Sequence, residues 1–191
     1  MSMPMRTFRF TLLLSVMLAT IPWLSGTAFG QPGDELRWVP VGKSDVLWNF
    51  TYMFTLGLEV PYGETSINDI KQGLVPLRFT LKWLPPKTPR EKVARYFQSR
   101  LQKHFASAEA FQRNFPAIRK LLEALPAAQK HDLWHIVYDP DAGTLFFVDE
   151  QKIHHAVGAH LNRALLKNWL NDNPVTTAQL LNRLIQRQNA R

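Results

Sequence analysis

The chain has 191 residues, no cysteine and a formal net charge of +8. That length fits a single domain with a substantial core. Without cysteine there are no disulfide staples, no Cys-based zinc sites and no thiol catalysis, so burial must carry stability. The positive balance favours anionic surfaces such as lipid head groups.

Residues 1–30 read as a secretory signal. Arg6 and Arg9 form a positive n-region, "FTLLLSVMLATI" (10–21) a short apolar stretch, and Ala28 and Gly30 a small-residue cleavage site. The apolar run is too short for a comfortable membrane-spanning helix. Cleavage would leave one domain, residues 31–191, with two fewer positive charges, +6 in place of +8. A periplasmic location is expected. Contact with a membrane surface or envelope protein fits the charge, and an exported protein is not expected to meet nucleic acid.

"LRWVPVG" (36–42) predicts a first strand. From Val46 to Val60 the even positions read Val46, Trp48, Phe50, Tyr52, Phe54, Leu56, Leu58 and Val60. This period-2 pattern predicts either two strands or one long bent strand, with Gly57 a candidate bulge. Residues 61–73 read as a polar connection. "VPLRFTLKWL" (75–84) alternates again, with Leu77, Phe79, Leu81 and Trp83 on one face and Arg78, Thr80 and Lys82 on the other.

Thr88, Pro89 and Glu91 read as a capping box that opens a helix with Thr88 as N-cap. Val93, Tyr96, Phe97, Leu101 and Phe105 form its apolar stripe. Ser107 caps a second helix, with a break or kink expected near Pro116. Strands at 133–138 and 144–149 flank an Asp-Pro-Asp-Ala-Gly turn. A tight turn near 150–152 then leads to a helix over about 156–171, and Thr176 with Gln179 caps a last helix. Strands and helices are segregated rather than alternating, which predicts an α+β fold with a mostly antiparallel sheet and helices on one face.

"FFVDEQKIHHAVGAH" (146–160) raises the question of a metal site. His155 and His160 are five apart and His154 and His160 six apart. On a helix those pairs diverge by about 140° and 120°. Neither spacing is that of a helical ligand pair. The histidines are expected at a hairpin end and a helix start, and no metal is expected. No nucleophile elbow and no phosphate-cradling loop is present, so no cofactor is expected. The aromatic face over 48–54 either lines a ligand cavity or fills a core.

The order of the pieces resembles the bacterial chalcone isomerase-like family. "ELRWVPVGKSDVLWNFTYMFTLGLEVPYG" is similar to its opening, "VPLRFTLKWLPPKTPREKV" to its next strand and helix entry, and "LLEALPAAQKHDLWHIVYDPDAGTLFFVDEQKI" to its strand-turn-strand. "ALLKNWLNDNPVTTAQLLNRLI" is similar to its closing helices, so the likeness runs over most of 36–187. The resemblance implies a chalcone isomerase fold with a cleft between sheet and helices. Plant isomerases of the wider family use an Arg, with Thr, Tyr and Asn helpers, to hold an anionic oxygen in a partly dry site. Other members bind fatty acids. Here one alignment places Ser44, Asp45 and Val46 at the Arg position, and another places Arg37 there. The family's Gly-Asp stands as His131–Asp132.

The expected function is therefore binding of a small apolar or amphipathic ligand, such as a fatty acid, without catalysis. Trp48, Tyr52 and Phe54 would line the cleft, and Arg37 or Arg78 would meet an anionic head group. The alternatives are an intramolecular lyase or isomerase acting on an enone through Arg37 and Tyr52, and a structural or partner-binding envelope protein.

Overall fold

The computed structural model describes residues 37–64, 66–170 and 186. The expected signal at 1–30 and the expected last helix at 176–185 lie outside them.

Among the described residues the chain forms a six-stranded antiparallel sheet. Its strands are β1 (Trp38–Trp48), β2 (Thr51–Pro61), β3 (Leu77–Trp83), β6 (Leu133–Asp139), β7 (Gly143–Val148) and β8 (Gln151–Ala156), in that spatial order. Between β3 and β6 run β4 (Lys87–Thr88), α2 (Arg90–Gln102), α3 (Ala108–Ala124) and β5 (Ala128–Gln129), with β4 and β5 paired to each other. A short α1 (Ile67–Gln72) joins β2 to β3, and α4 (Ala159–Leu170) follows β8. No helix among the described residues is long and apolar enough to cross a membrane.

The alternation over 46–60 resolves into two strands. They meet in a two-residue turn at Asn49 and Phe50, which have φ of 46° and 59°. Positive φ at both central positions gives a hairpin turn whose twist matches that of its strands. Gly57 sits in regular register between Lys43 and Thr80. Two irregularities fall elsewhere in this pairing: one between Pro40 and Gly42, and one where Val46 opposes Phe54 and Leu47 opposes Tyr52, leaving Met53 as the extra residue. Met53 and Phe54 are both buried, as a bulge that aims two neighbours to one side requires.

One face of the sheet takes the helices. Phe54, Leu56, Leu58, Leu77, Phe79, Leu81, Trp83, Trp134, Ile136 and Phe146 meet Val93, Tyr96, Phe97 and Leu101 of α2 in one cluster. Ile118 and Leu121 of α3 and Leu165 and Trp169 of α4 complete it. Each such apolar side chain contributes about 1.5–3 kcal/mol on full burial.

Local caps fix the helix entries. Ser66 Oγ accepts from Asp69 N and caps α1, a helix where a polar connection was expected. Ser107 Oγ accepts from Ala110 N and caps α3 as expected. Around Thr88 the expectation fails, because the N-cap of α2 is Pro89 and no side chain caps it. Thr88 is held instead in β4 against Ala128. Proline at 116 does not end α3, which runs through it for 17 residues with Phe111, Ile118, Leu121 and Leu122 buried. The helix expected from residue 156 starts at Ala159, and the chain before it pairs as β8, following a turn at Asp149–Glu150.

Candidate functional site

The sheet–helix interface is aromatic on both sides. Trp48 and Phe54 reach it from the first hairpin, and both set ring edges against Tyr96 of α2, at centroid distances of 5.6 and 5.4 Å. Phe54 also meets Trp83 at 5.3 Å and Trp169 of α4 at 6.5 Å. Phe97 links Trp169 to Phe146, and Trp83 stacks beside Trp134 with centroids 4.9 Å apart. Such edge-on pairs add about 0.5–1.5 kcal/mol each beyond area burial.

The expected lining residues do not gather in one place. Trp48 and Phe54 share the interface. Tyr52 does not, because the extra residue Met53 reverses parity between Tyr52 and Phe54. Tyr52 lies beside Leu47 near the hairpin tip, 59% exposed, with Leu47 55% and Phe50 100% exposed. Arg78 lies on the sheet face away from the helices, paired with Glu59 through both Nε and Nη2. Its guanidinium also stacks on Trp38, 5.1 Å from the ring centroid. Arg37 stacks on Tyr62 at 4.6 Å. Trp38 opposes Pro61, so Arg37 and Tyr52 sit at opposite ends of β2. At about 3.3 Å per residue they are roughly 30 Å apart.

The outer face instead carries a polar chain that single-residue reading did not find. The Thr80 hydroxyl donates to Glu59 Oε1 at 3.3 Å and lies 3.2 Å from His135 Nδ1. Burial, helped by the Arg78 charge, holds the His135 imidazole below its ordinary value; Glu59 and Glu150 act in the opposite sense. The signal was present in the sequence as Glu59, Arg78, Thr80 and His135 on alternating positions. Only strand order brings those positions together.

The histidines of 154–160 divide between elements. His154 and His155 lie on β8, and His160 lies in the first turn of α4. His155 Nε2 donates to Ala142 O at 2.8 Å. His154 sets its ring against Phe146, at 6.3 Å. Among the described residues no three His, Asp or Glu side chains gather into a metal-ligating group.

An open groove of about 390 Å³ lies between α1 and α4, lined by Lys71, Gln72, Arg163, Leu166, Lys167 and Leu170. Its floor leucines are each 5% exposed. The groove thus sets three cationic side chains, Lys71, Arg163 and Lys167, around two nearly covered leucines.

Among the described residues, Trp83 Nε1, Trp134 Nε1 and the Thr88 hydroxyl are buried without a hydrogen-bond partner from the protein itself. Nothing in the spacing of these residues announces this, since it arises from how the layers close over them.

An antiparallel sheet with helices inserted between its third strand and the next defines an α+β protein built around one sheet–helix interface. The chain belongs to the chalcone isomerase-like family, whose sequence profile matches residues 49–185. Among solved structures it is similar to a fatty-acid binding protein from Arabidopsis thaliana, with a TM-score of 0.55 and 14% identity. That likeness covers 82% of this chain and 89% of the plant protein. No curated protein matches the sequence.

Proposed function

We propose that the protein is an exported, non-catalytic binding protein that holds a small apolar or amphipathic ligand, such as a fatty acid, between sheet and helices. The observation that carries this reading is the chemistry of that interface. Phe54, Trp83, Tyr96, Phe97, Trp134, Phe146 and Trp169 line it from both layers without a charged side chain among them. Apolar, aromatic walls with a few polar groups are what an acyl chain requires. The shared fold with a plant fatty-acid binding protein supports the same reading. Export is supported by the Arg6–Arg9 n-region and the apolar stretch that follows it.

The separation of Arg37 from Tyr52 supports binding over catalysis. An enone cyclisation needs its acid–base group and its oxyanion donor within hydrogen-bond reach of one substrate. Two side chains about 30 Å apart along a strand cannot both touch it.

Native mass spectrometry of residues 31–191, purified gently from the exporting cell, tests the reading. A discrete added mass that organic extraction removes is expected. A bare polypeptide mass that stays bare after incubation with dodecanoate would overturn it.

A further inference from the structure

The open groove between α1 and α4 gathers charge of one sign around a shared space. Its volume of about 390 Å³ lies at the small end of the range for small-molecule sites, about 300–1,000 Å³. Lys71, Arg163 and Lys167 are exposed along it, and Leu166 and Leu170 are buried at its floor. Among the described residues no Asp or Glu lines it.

Packing fixes the frame that carries these side chains. Gly73 ends α1, its carbonyl accepts from the Tyr138 hydroxyl at 2.9 Å, and a β-carbon on it would overlap Leu166 of α4. The end of α1, the end of β6 and one face of α4 therefore meet in van der Waals contact. The Tyr138 phenol feels the charge of Arg163, and it also feels Asp139 and Asp141. Those two carboxylates belong to the β6–β7 turn, where Asp139 Oδ1 accepts from Asp141 N and Ala142 N.

Like charges held this way repel. Arg163 and Lys167 are four apart on α4, so they are neighbours on one helical face, a pairing that opposes the helix. Lys71 brings a third positive charge from α1. The carbonyl ends of the two helices account for Lys71 and Lys167, each in a last turn. They do not account for Arg163, one turn nearer the start of α4. An anion seated in the groove turns this repulsion into attraction. The planar fork of an arginine matches two oxygens of a phosphoryl group, and lysines serve it as point charges. A phosphoryl group spreads its charge over three oxygens around one centre, which suits cations arriving from two helices. A carboxylate offers two oxygens in one plane.

We propose that the groove binds a phosphoryl group, with Arg163 donating through its guanidinium and Lys71 and Lys167 through their ammonium groups. Soluble phosphate compounds and phospholipid head groups share this chemistry. The inference goes beyond the acyl-binding reading and uses none of the interface aromatics, so either stands if the other fails.

The test titrates pyrophosphate into the full chain by calorimetry at 0.1 M salt. The same chain is sedimented with phosphatidylcholine vesicles, with and without phosphatidylglycerol. Lys71→Gln, Arg163→Gln and Lys167→Gln are each expected to weaken binding roughly fivefold, the upper range for one exposed charge pair. Lys82→Gln is the control. It removes the same charge from an exposed residue at the other end of β3, five residues from Leu77, which pairs with Tyr138. That is roughly 16 Å along the strand, beyond the screening length of about 10 Å at this salt, so binding is expected to be unchanged. Pyrophosphate bound with this pattern of variants would identify a soluble phosphate as the ligand. Binding only to phosphatidylglycerol vesicles, with the same pattern, would identify the lipid head group. Failure of both probes to bind would overturn the proposal. A loss in Lys82→Gln equal to that in the groove variants would also overturn it, showing the diffuse attraction of a basic chain.

Discussion

His131 holds a backbone conformation that suits glycine. Its φ is 77°, in the left-handed region, where a β-carbon costs about 1–2 kcal/mol. The turn is kept by its neighbours: His131 N donates to Trp83 O at 2.9 Å, and Asp132 Oδ2 accepts from Gln129 N at 2.7 Å. His131→Gly should therefore stabilise the protein, by roughly 0.5–1 kcal/mol after the greater freedom of glycine in the unfolded chain is counted. Denaturant unfolding with an unchanged slope would read this directly. A loss of stability would mean that the exposed imidazole makes a contact stronger than the strain it causes. The likeness drawn from the sequence set His131–Asp132 where Gly-Asp was expected, but the energetic sign needed the backbone angle.

Between elements, legibility divides along physical lines. The paired faces of β3, the strands around the Asp139–Gly143 turn and the Ser107 cap were all visible, because periodicity and capping are local. The placement of Trp48 and Phe54 on the core face was visible for the same reason. Tyr52 was not, because one extra residue at Met53 flips every side chain beyond it and leaves no trace in the alternation. The turn at Asn49–Phe50 was obscured by having no glycine, although both residues take positive φ, whereas the tight turn expected near 150–152 falls at Asp149–Glu150. The contact of α1 with α4 lies wholly beyond local signals. Gly73 ends α1 at φ 67°, and its carbonyl accepts from the Tyr138 hydroxyl at 2.9 Å. A β-carbon there would overlap Leu166 Cδ2 and crowd the Tyr138 hydroxyl. Gly73→Ala combines left-handed strain with overpacking, and should cost about 2–4 kcal/mol. A thermal melt within a degree of wild type would show that α1 shifts freely away from α4.

Over the whole molecule, two half-buried imidazoles tie stability to pH. Burial lowers His135 first, with the Arg78 charge adding to it. Burial also lowers His154 first, with His155 and Lys120 adding to it. Both therefore titrate below the ordinary value of 6.5 in the folded protein. The unfolded chain takes up protons at a pH where the folded chain refuses them. Their contribution is complete above about pH 6.5 and is lost as pH falls through the lower folded values. Unfolding free energy should decline from about pH 7 to pH 5, and His135→Gln with His154→Gln should flatten that decline. An unchanged slope in the double variant would assign the acid sensitivity to carboxylates instead.

Strand order has a consequence in chain statistics. Every pairing in the main sheet joins strands adjacent in sequence except β3 with β6, where Lys82 meets Leu133 across the whole helical excursion. The tight turns at Asn49–Phe50 and Asp149–Glu150 close their loops at almost no entropic expense. The β3–β6 pairing closes a loop of about fifty residues, for which the length-dependent term is about 3.5 kcal/mol. Among the described residues the main sheet is thus two contiguous meanders joined by one long-range strand pairing, with α2 and α3 in the loop which that pairing closes.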